Sequence, residues 1–231
     1  MRRKRTALIT FVLLAALVGA TGLWLCAQQR QHALDRALIA ALVHGDDKQA
    51  LALVNQGADP NTRYSATPMP LLHEMWKQLL RLSQPASNAG QTAFMIACGA
   101  WWSNDETTME IQSRRLDALQ LVDAMLRHGA DLDAKDENGL TPLMWAARFD
   151  HRQVTTMLLK HGADVNAPDN DGNTTLLLTM HNSGDNLEML RLLLAHGANP
   201  NLYNHAGYSP MLWAHSDPAV LTLFRQAGAR R

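Results

Sequence analysis

The ten histidines are the first residues in this chain whose chemistry calls for a test. His128, His161 and His196 each stand directly before a Gly-Ala pair. Imidazoles can share a metal ion, but zinc needs its nitrogens within about 2.0–2.1 Å. These three recur only once per 33 or 35 residues, which suits a polar or cationic residue at the end of successive helices better. Asp169-Asn170-Asp171-Gly172 opens like a calcium loop, yet the alternating ligands and closing glutamate are missing. Cys26 and Cys98 are too few for a disulfide framework. His-x-x-x-His, Cys-x-x-Cys, Gly-x-Ser-x-Gly and phosphate-cradling glycine patterns do not occur. The residues therefore predict no metal, no cofactor, no small-molecule substrate and no catalysis, and point to a non-enzyme.

The elements around these residues begin with a charge asymmetry. Arg2, Arg3, Lys4 and Arg5 are cationic and no acid precedes Asp35. Without those four, 17 basic side chains face 21 acidic ones under a formal net charge of zero. That mildly acidic remainder argues against nucleic acid as a partner. Residues Thr6 to Ala27 carry no charge over 22 positions. At about 1.5 Å per residue a helix of that length spans a hydrocarbon core of roughly 30 Å. The basic cluster would stay cytoplasmic and the rest of the chain would lie outside.

A cleaved signal peptide ending near Val18-Gly19-Ala20 competes with this anchor. Against it, the apolar run continues through Leu23, Trp24, Leu25 and Cys26. A lipid on Cys26 is a third reading, opposed by the bulk of Trp24 and Leu25 before it. The expected organisation is a cytoplasmic segment 1–5, a signal anchor 6–27, a linker 28–34 and a folded domain 35–231. The basic start followed by one apolar span is bacterial in style. The expected location is thus the inner membrane, single-pass, with the domain periplasmic.

Self-similarity organises the rest. Gly-Ala-Asp-Pro-Asn begins at Gly57, Gly-Ala-Asp-Leu-Asp at Gly129, Gly-Ala-Asp-Val-Asn at Gly162, Gly-Ala-Asn-Pro-Asn at Gly197, and a truncated Gly-Ala at Gly228. The intervals are 72, 33, 35 and 31 residues. A period near 33 with a helix-opening Thr-Pro-Leu is the signature of a helix–turn–helix solenoid. The block from Asp136 to Pro168 resembles one complete ankyrin repeat. Asn138-Gly139 supplies its turn, Thr141 and Pro142 its helix start, and Ala146 and Ala147 a thin first helix. Val154, Met157 and Leu158 form its buried face, and Gly162 ends it.

The resemblance extends over most of residues 34–231. It implies an all-α ankyrin-repeat solenoid of about five units with β-hairpin-like finger loops. Two segments exceed the period, at about 62–89 and 100–116, and are expected as an insertion in a finger loop and a lengthened second helix. The position after Thr-Pro-Leu, where the family has a loop-tying histidine, holds Met95, Met144, Leu177 and Leu212. That departure predicts looser loops.

In the family, the residue before the paired alanines faces the concave side. Here that row is Ile96, Trp145, Leu178 and Trp213, predicting an apolar, tryptophan-bearing strip of the kind that binds partners; the alternative is that the inserted helices fold back over the strip and make it core. The adjacent indoles Trp101 and Trp102 and the fingertip residues Lys135, Glu137, Asn170, Asp171, Asn204 and His205 complete the candidate partner-binding set. The implied function is protein binding. Ankyrin-type envelope proteins resemble immunity proteins that neutralise secreted antibacterial effectors such as phospholipases. A scaffold for a resident envelope enzyme, for example in oxidative-stress defence, is the alternative, and a hydrolase the remote one.

Overall fold

The computed structural model describes residues 24–64, 90–99, 109–181, 187–214 and 217–229. Residues 24–43 form one helix (α1). The next helices are α2 (Asp47–Asn55), α3 (Ala93–Gly99), α4 (Met109–Arg127), α5 (Pro142–Arg148) and α6 (Arg152–Lys160). They are followed by α7 (Thr175–His181), α8 (Leu187–Ala195), α9 (Pro210–Trp213) and α10 (Pro218–Gln226). Consecutive pairs make five units. Among the described residues there is no strand, and the single β-bridge joins Arg63 to Thr92.

Local chemistry sets each boundary. Thr141 and Ser209 cap α5 and α9, accepting from Met144 N at 3.3 Å and Leu212 N at 3.4 Å, and each is followed by proline. Asp217 caps α10 through Ala219 N at 2.8 Å and Val220 N at 3.3 Å. At the other end of α6, Gly162 takes φ +93°, a conformation that a side chain would strain. Its N–H bonds Leu159 O and the Ala163 N–H bonds Leu158 O, both at 3.1 Å. This is a Schellman cap.

First helices stack on first helices, α3 on α5, α5 on α7 and α7 on α9. Second helices α2, α4 and α6 form the other layer. Ala146 and Ala147 are buried in α5, which lets the two layers close on each other. The core between them runs through the array from Leu38 in α1 to Phe224 in α10, both fully buried.

The two long intervals have structural explanations. Asn61 donates to Gly129 O at 3.0 Å and accepts from Asp131 N at 2.7 Å. Asn166 makes the same pair of bonds to Gly197 O and Asn199 N, at 3.0 and 2.8 Å. The Gly57 and Gly129 units are therefore immediate neighbours although the two glycines are 72 positions apart. Tyr64 N bonds Gln91 O at 2.7 Å, so the chain leaves this finger at Tyr64 and re-enters it beside Gly90. What lies between, residues 65–89, is outside the described residues. In the same unit α4 has 19 residues against nine in α2, α6, α8 and α10.

Two expectations are corrected. Residues 28–34 are not a linker but helix, continuous with the rest of α1. Side-chain bonds fasten this stretch: Gln31 Nε2 donates to Gly57 O and Asp59 N donates to Asp35 Oδ1, each at 2.9 Å. Nor does loss of the histidine after Thr-Pro-Leu leave the fingers untied. Asn170 N bonds Asn138 O at 3.0 Å, His205 N bonds Asp171 O at 2.9 Å, and Asn170 Nδ2 bonds Glu137 O at 2.8 Å. Backbone bonds and the Asn170 side chain do the tying. As for a membrane span, residues 6–23 lie outside the described residues, and no helix among the described ones is long and apolar enough to cross a bilayer.

Candidate functional site

The expected concave strip is only partly a surface. Ile96 and Trp145 are buried, at 2% and 6% exposure, and Leu178 is half-buried. Of the four, Trp213 alone is open, at 41%. Trp145 is enclosed because Met95, Ala134, Leu140 and Met144 pack around it. Gly99 keeps room for it, since a Cβ there would come within 3.1 Å of the indole. Its Nε1 donates to Asp136 Oδ2 at 3.1 Å. The tryptophan is thus a core residue, and the part of the strip assigned to Ile96 and Trp145 is corrected. Trp101 and Trp102 lie outside the described residues.

What Trp145 does is support its neighbours. The Arg148 guanidinium lies 5.8 Å from the indole centroid, a cation–π distance. The Phe149 ring stacks on the indole at 5.9 Å and continues to His151. Arg148 is exposed and is held in place from beneath.

Arg148 opens onto a concave groove of about 670 Å³ across the last three units. Leu178, Asn173 and Tyr208 line it, and Asp171, Asn204, His205 and Ala206 form its finger edge. Leu178, Asp171, Asn204 and His205 belong to the expected binding set, and the fold brings these four together. Arg148, Asn173, Ala206 and Tyr208 join them from outside that set. Tyr208 carries a usable signal in its type, an aromatic at the position of Leu140 and Asn173, and the structure leaves it 52% exposed.

Lys135, Glu137 and Asn170 are exposed but sit apart from the groove, and two of them are engaged between units. Lys135 Nζ donates to Pro168 O at 2.7 Å, and Asn170 bridges to Glu137 O. Asp169 closes its own turn, accepting from Asp171 N at 2.9 Å and Asn173 N at 2.7 Å. That explains the calcium-like spelling without an ion. No group of His, Cys, Asp or Glu suited to a metal occurs among the described residues. Cys98 is buried, which pushes its thiol far above its ordinary range and leaves it unreactive.

The groove offers a guanidinium, a carboxylate, an imidazole, amides and an aromatic ring beside Leu178 and Ala206, a mixture that suits a polypeptide surface. The sequence matches the family model described as ankyrin repeats (3 copies) over residues 72–169 and again over 109–204, together more than half of the chain. The chain belongs to the ankyrin-repeat family. Ankyrin-repeat proteins are in general binding modules without catalysis, and their partners are proteins. No curated protein matches this ankyrin-repeat chain.

Proposed function

We propose that this ankyrin-repeat protein binds another protein through the groove between Arg148 and Tyr208, and that its N-terminal apolar segment holds it at the bacterial inner membrane with the repeats in the periplasm. The observation that carries the reading is the groove itself. It combines a cationic residue braced by a buried indole with an exposed aromatic side and a polar finger edge. Aromatic and arginine side chains dominate binding energies when a partner dries them.

Within that reading the partner is a secreted antibacterial effector, such as a phospholipase, which the protein neutralises by covering its active site. The support is analogy of fold and of expected location. Tethering places the inhibitor beside the bilayer that a lipase attacks.

The test is co-purification from envelopes with the full chain and with Arg148→Ala plus Tyr208→Ala. Circular dichroism first verifies that both fold alike. A secreted hydrolase retained one-to-one by the wild type, neutralised by it, and lost by the double variant supports the proposal. A housekeeping envelope enzyme in its place points to a scaffold. The same proteins on both baits would remove the groove from the account.

A further inference from the structure

Helix α1 serves two surroundings without a break. Residues 24–43 are one continuous helix, yet residues 24–30 are all exposed, and packing on the repeats begins only at Gln31. Gln31 Nε2 donates to Gly57 O and Asp35 Oδ1 accepts from Asp59 N, so residues 31–35 stand level with the base of the first finger. Farther along α1, Leu38, Ala41 and Leu42 are buried in the core. Gly45 in this unit and Asp150 in the third both take positive φ at the turn between their helices. In both units the finger lies at one end of the helix pair and the turn at the other. α1 leaves the array at the finger end.

From Gln31 back to Trp24 the helix extends seven residues past that level, about 10 Å at roughly 1.5 Å each. Trp24 and Leu25 stand there exposed, at 63% and 52%. They belong to the uncharged run from Thr6 to Ala27, and the first charge after it is Arg30. An indole near the end of an apolar run, followed by polar residues and a cation, fits the headgroup level of a bilayer.

We propose that the fingers are the membrane-facing side of the array. This rests on the reading above that the apolar segment lies in the bilayer. With Trp24 among the headgroups, unbroken helix sets the finger bases about 10 Å from the surface. The turns at Asp46 and Asp150 are farther out by the length of a second helix, about 13 Å for the nine residues of α6. A tilt of about 20°, usual for spanning helices, raises or lowers a unit as a whole and leaves its finger nearer the lipid than its turn.

Along the finger edge Asp131, Glu137, Asp164 and Asp171 outnumber Arg63 and Lys135, so anionic headgroups do not pull the fingers down onto the lipid. The groove then runs outward from the bilayer, from its rim at Asp171, Asn204 and His205 to Arg148 at the end of α5. A protein held at the same bilayer surface is the partner this orientation fits.

The experiment measures heights by energy transfer on the full chain in vesicles of phosphatidylethanolamine and phosphatidylglycerol that carry a headgroup acceptor. In a Cys26→Ser background a donor is attached through Glu137→Cys in the finger or Gln153→Cys beside the turn, two exposed sites in one unit. Cys98 is buried and stays unlabelled. Transfer from the finger site should exceed that from the turn site at least twofold, since heights of about 10 and about 23 Å separate them from the headgroups. A Gly-Ser-Gly-Ser insertion after Gln28 should remove most of that difference. Equal transfer, or more from the turn site, overturns the proposal. So does a difference that survives the insertion, because α1 would not be its cause. Flotation of the same samples separates the two ideas. A chain that does not float with the vesicles overturns the anchor reading and this proposal with it, whereas a floating chain with the heights reversed overturns the orientation alone.

Discussion

Trp145 and Asp136 are joined by a 3.1 Å hydrogen bond between the indole N–H and a carboxylate oxygen, tying the first helix of the third unit to its own finger. The other oxygen of Asp136 accepts from Asn138 N at 2.9 Å and Leu140 N at 2.8 Å. One buried carboxylate therefore shapes the turn and fixes the large ring beneath Arg148. Trp145→Phe should leave that oxygen unpaired and destabilise the protein by about 1–3 kcal/mol. Trp145→Ala should cost about 3–5 kcal/mol by opening a cavity. Urea unfolding checks both. A neutral Trp145→Ala would return the indole to the surface.

The asparagine ladder is interrupted at one junction. Asn61 and Asn166 each bond a neighbouring glycine carbonyl and a backbone N–H. Asp133 holds the corresponding place in the second unit, and its carboxylate has no proton to give Gly162 O. Asp133→Asn should restore the rung and raise stability by about 0.5–1.5 kcal/mol. Thermal and urea midpoints should both increase, and a decrease would contradict the ladder's role.

Gly172 and Gly207 take nearly the same backbone angle, φ +80° and +78°, in different surroundings. A Cβ at Gly172 would sit 3.0 Å from His205 N, whereas Gly207 faces open space. Gly207→Ala should cost only the conformational penalty, about 1–2 kcal/mol. Gly172→Ala should cost more, because backbone must move. Equal losses would mean that the fingers do not press on one another.

Burial raises the Cys98 thiol far above its usual value, so it stays protonated in the folded state. The unfolded chain releases that proton above about pH 8.5. The stability gained from keeping the neutral thiol is therefore complete below that pH and is lost as the solution becomes more alkaline, by at most about 1.4 kcal/mol per pH unit. Cys98→Ala should flatten this part of the alkaline slope. In labelling followed by peptide mapping, Cys98 should react only on unfolding. Rapid labelling of the folded protein at Cys98 would contradict its burial.

Much of the fold was legible because its signals are local. Gly162 ends a helix within two residues, and Thr141-Pro142 starts one within four. The site was less legible because its contacts are not local. Trp145 reads as a surface residue in family register, and its enclosure by Met95 and Ala134 together with Leu140 and Met144, against Gly99 of the preceding first helix, makes it core. Gln31 and Asp35 read as linker and boundary, since the atoms they bond lie 24 to 26 residues away. Tyr208 enters the groove only when units 35 residues apart are brought side by side. Leu178, Asp171, Asn204 and His205 were found because the repeat register alone places them.

The central claim is that the groove beside Arg148 touches another protein. Its most direct measurement is photo-cross-linking in living cells, with a photoreactive residue at Arg148 and, for comparison, at exposed Lys160 on the second-helix layer. The account predicts one discrete adduct with a different protein from position 148 and none from 160. No adduct at 148, or the same adducts from both positions, would contradict it.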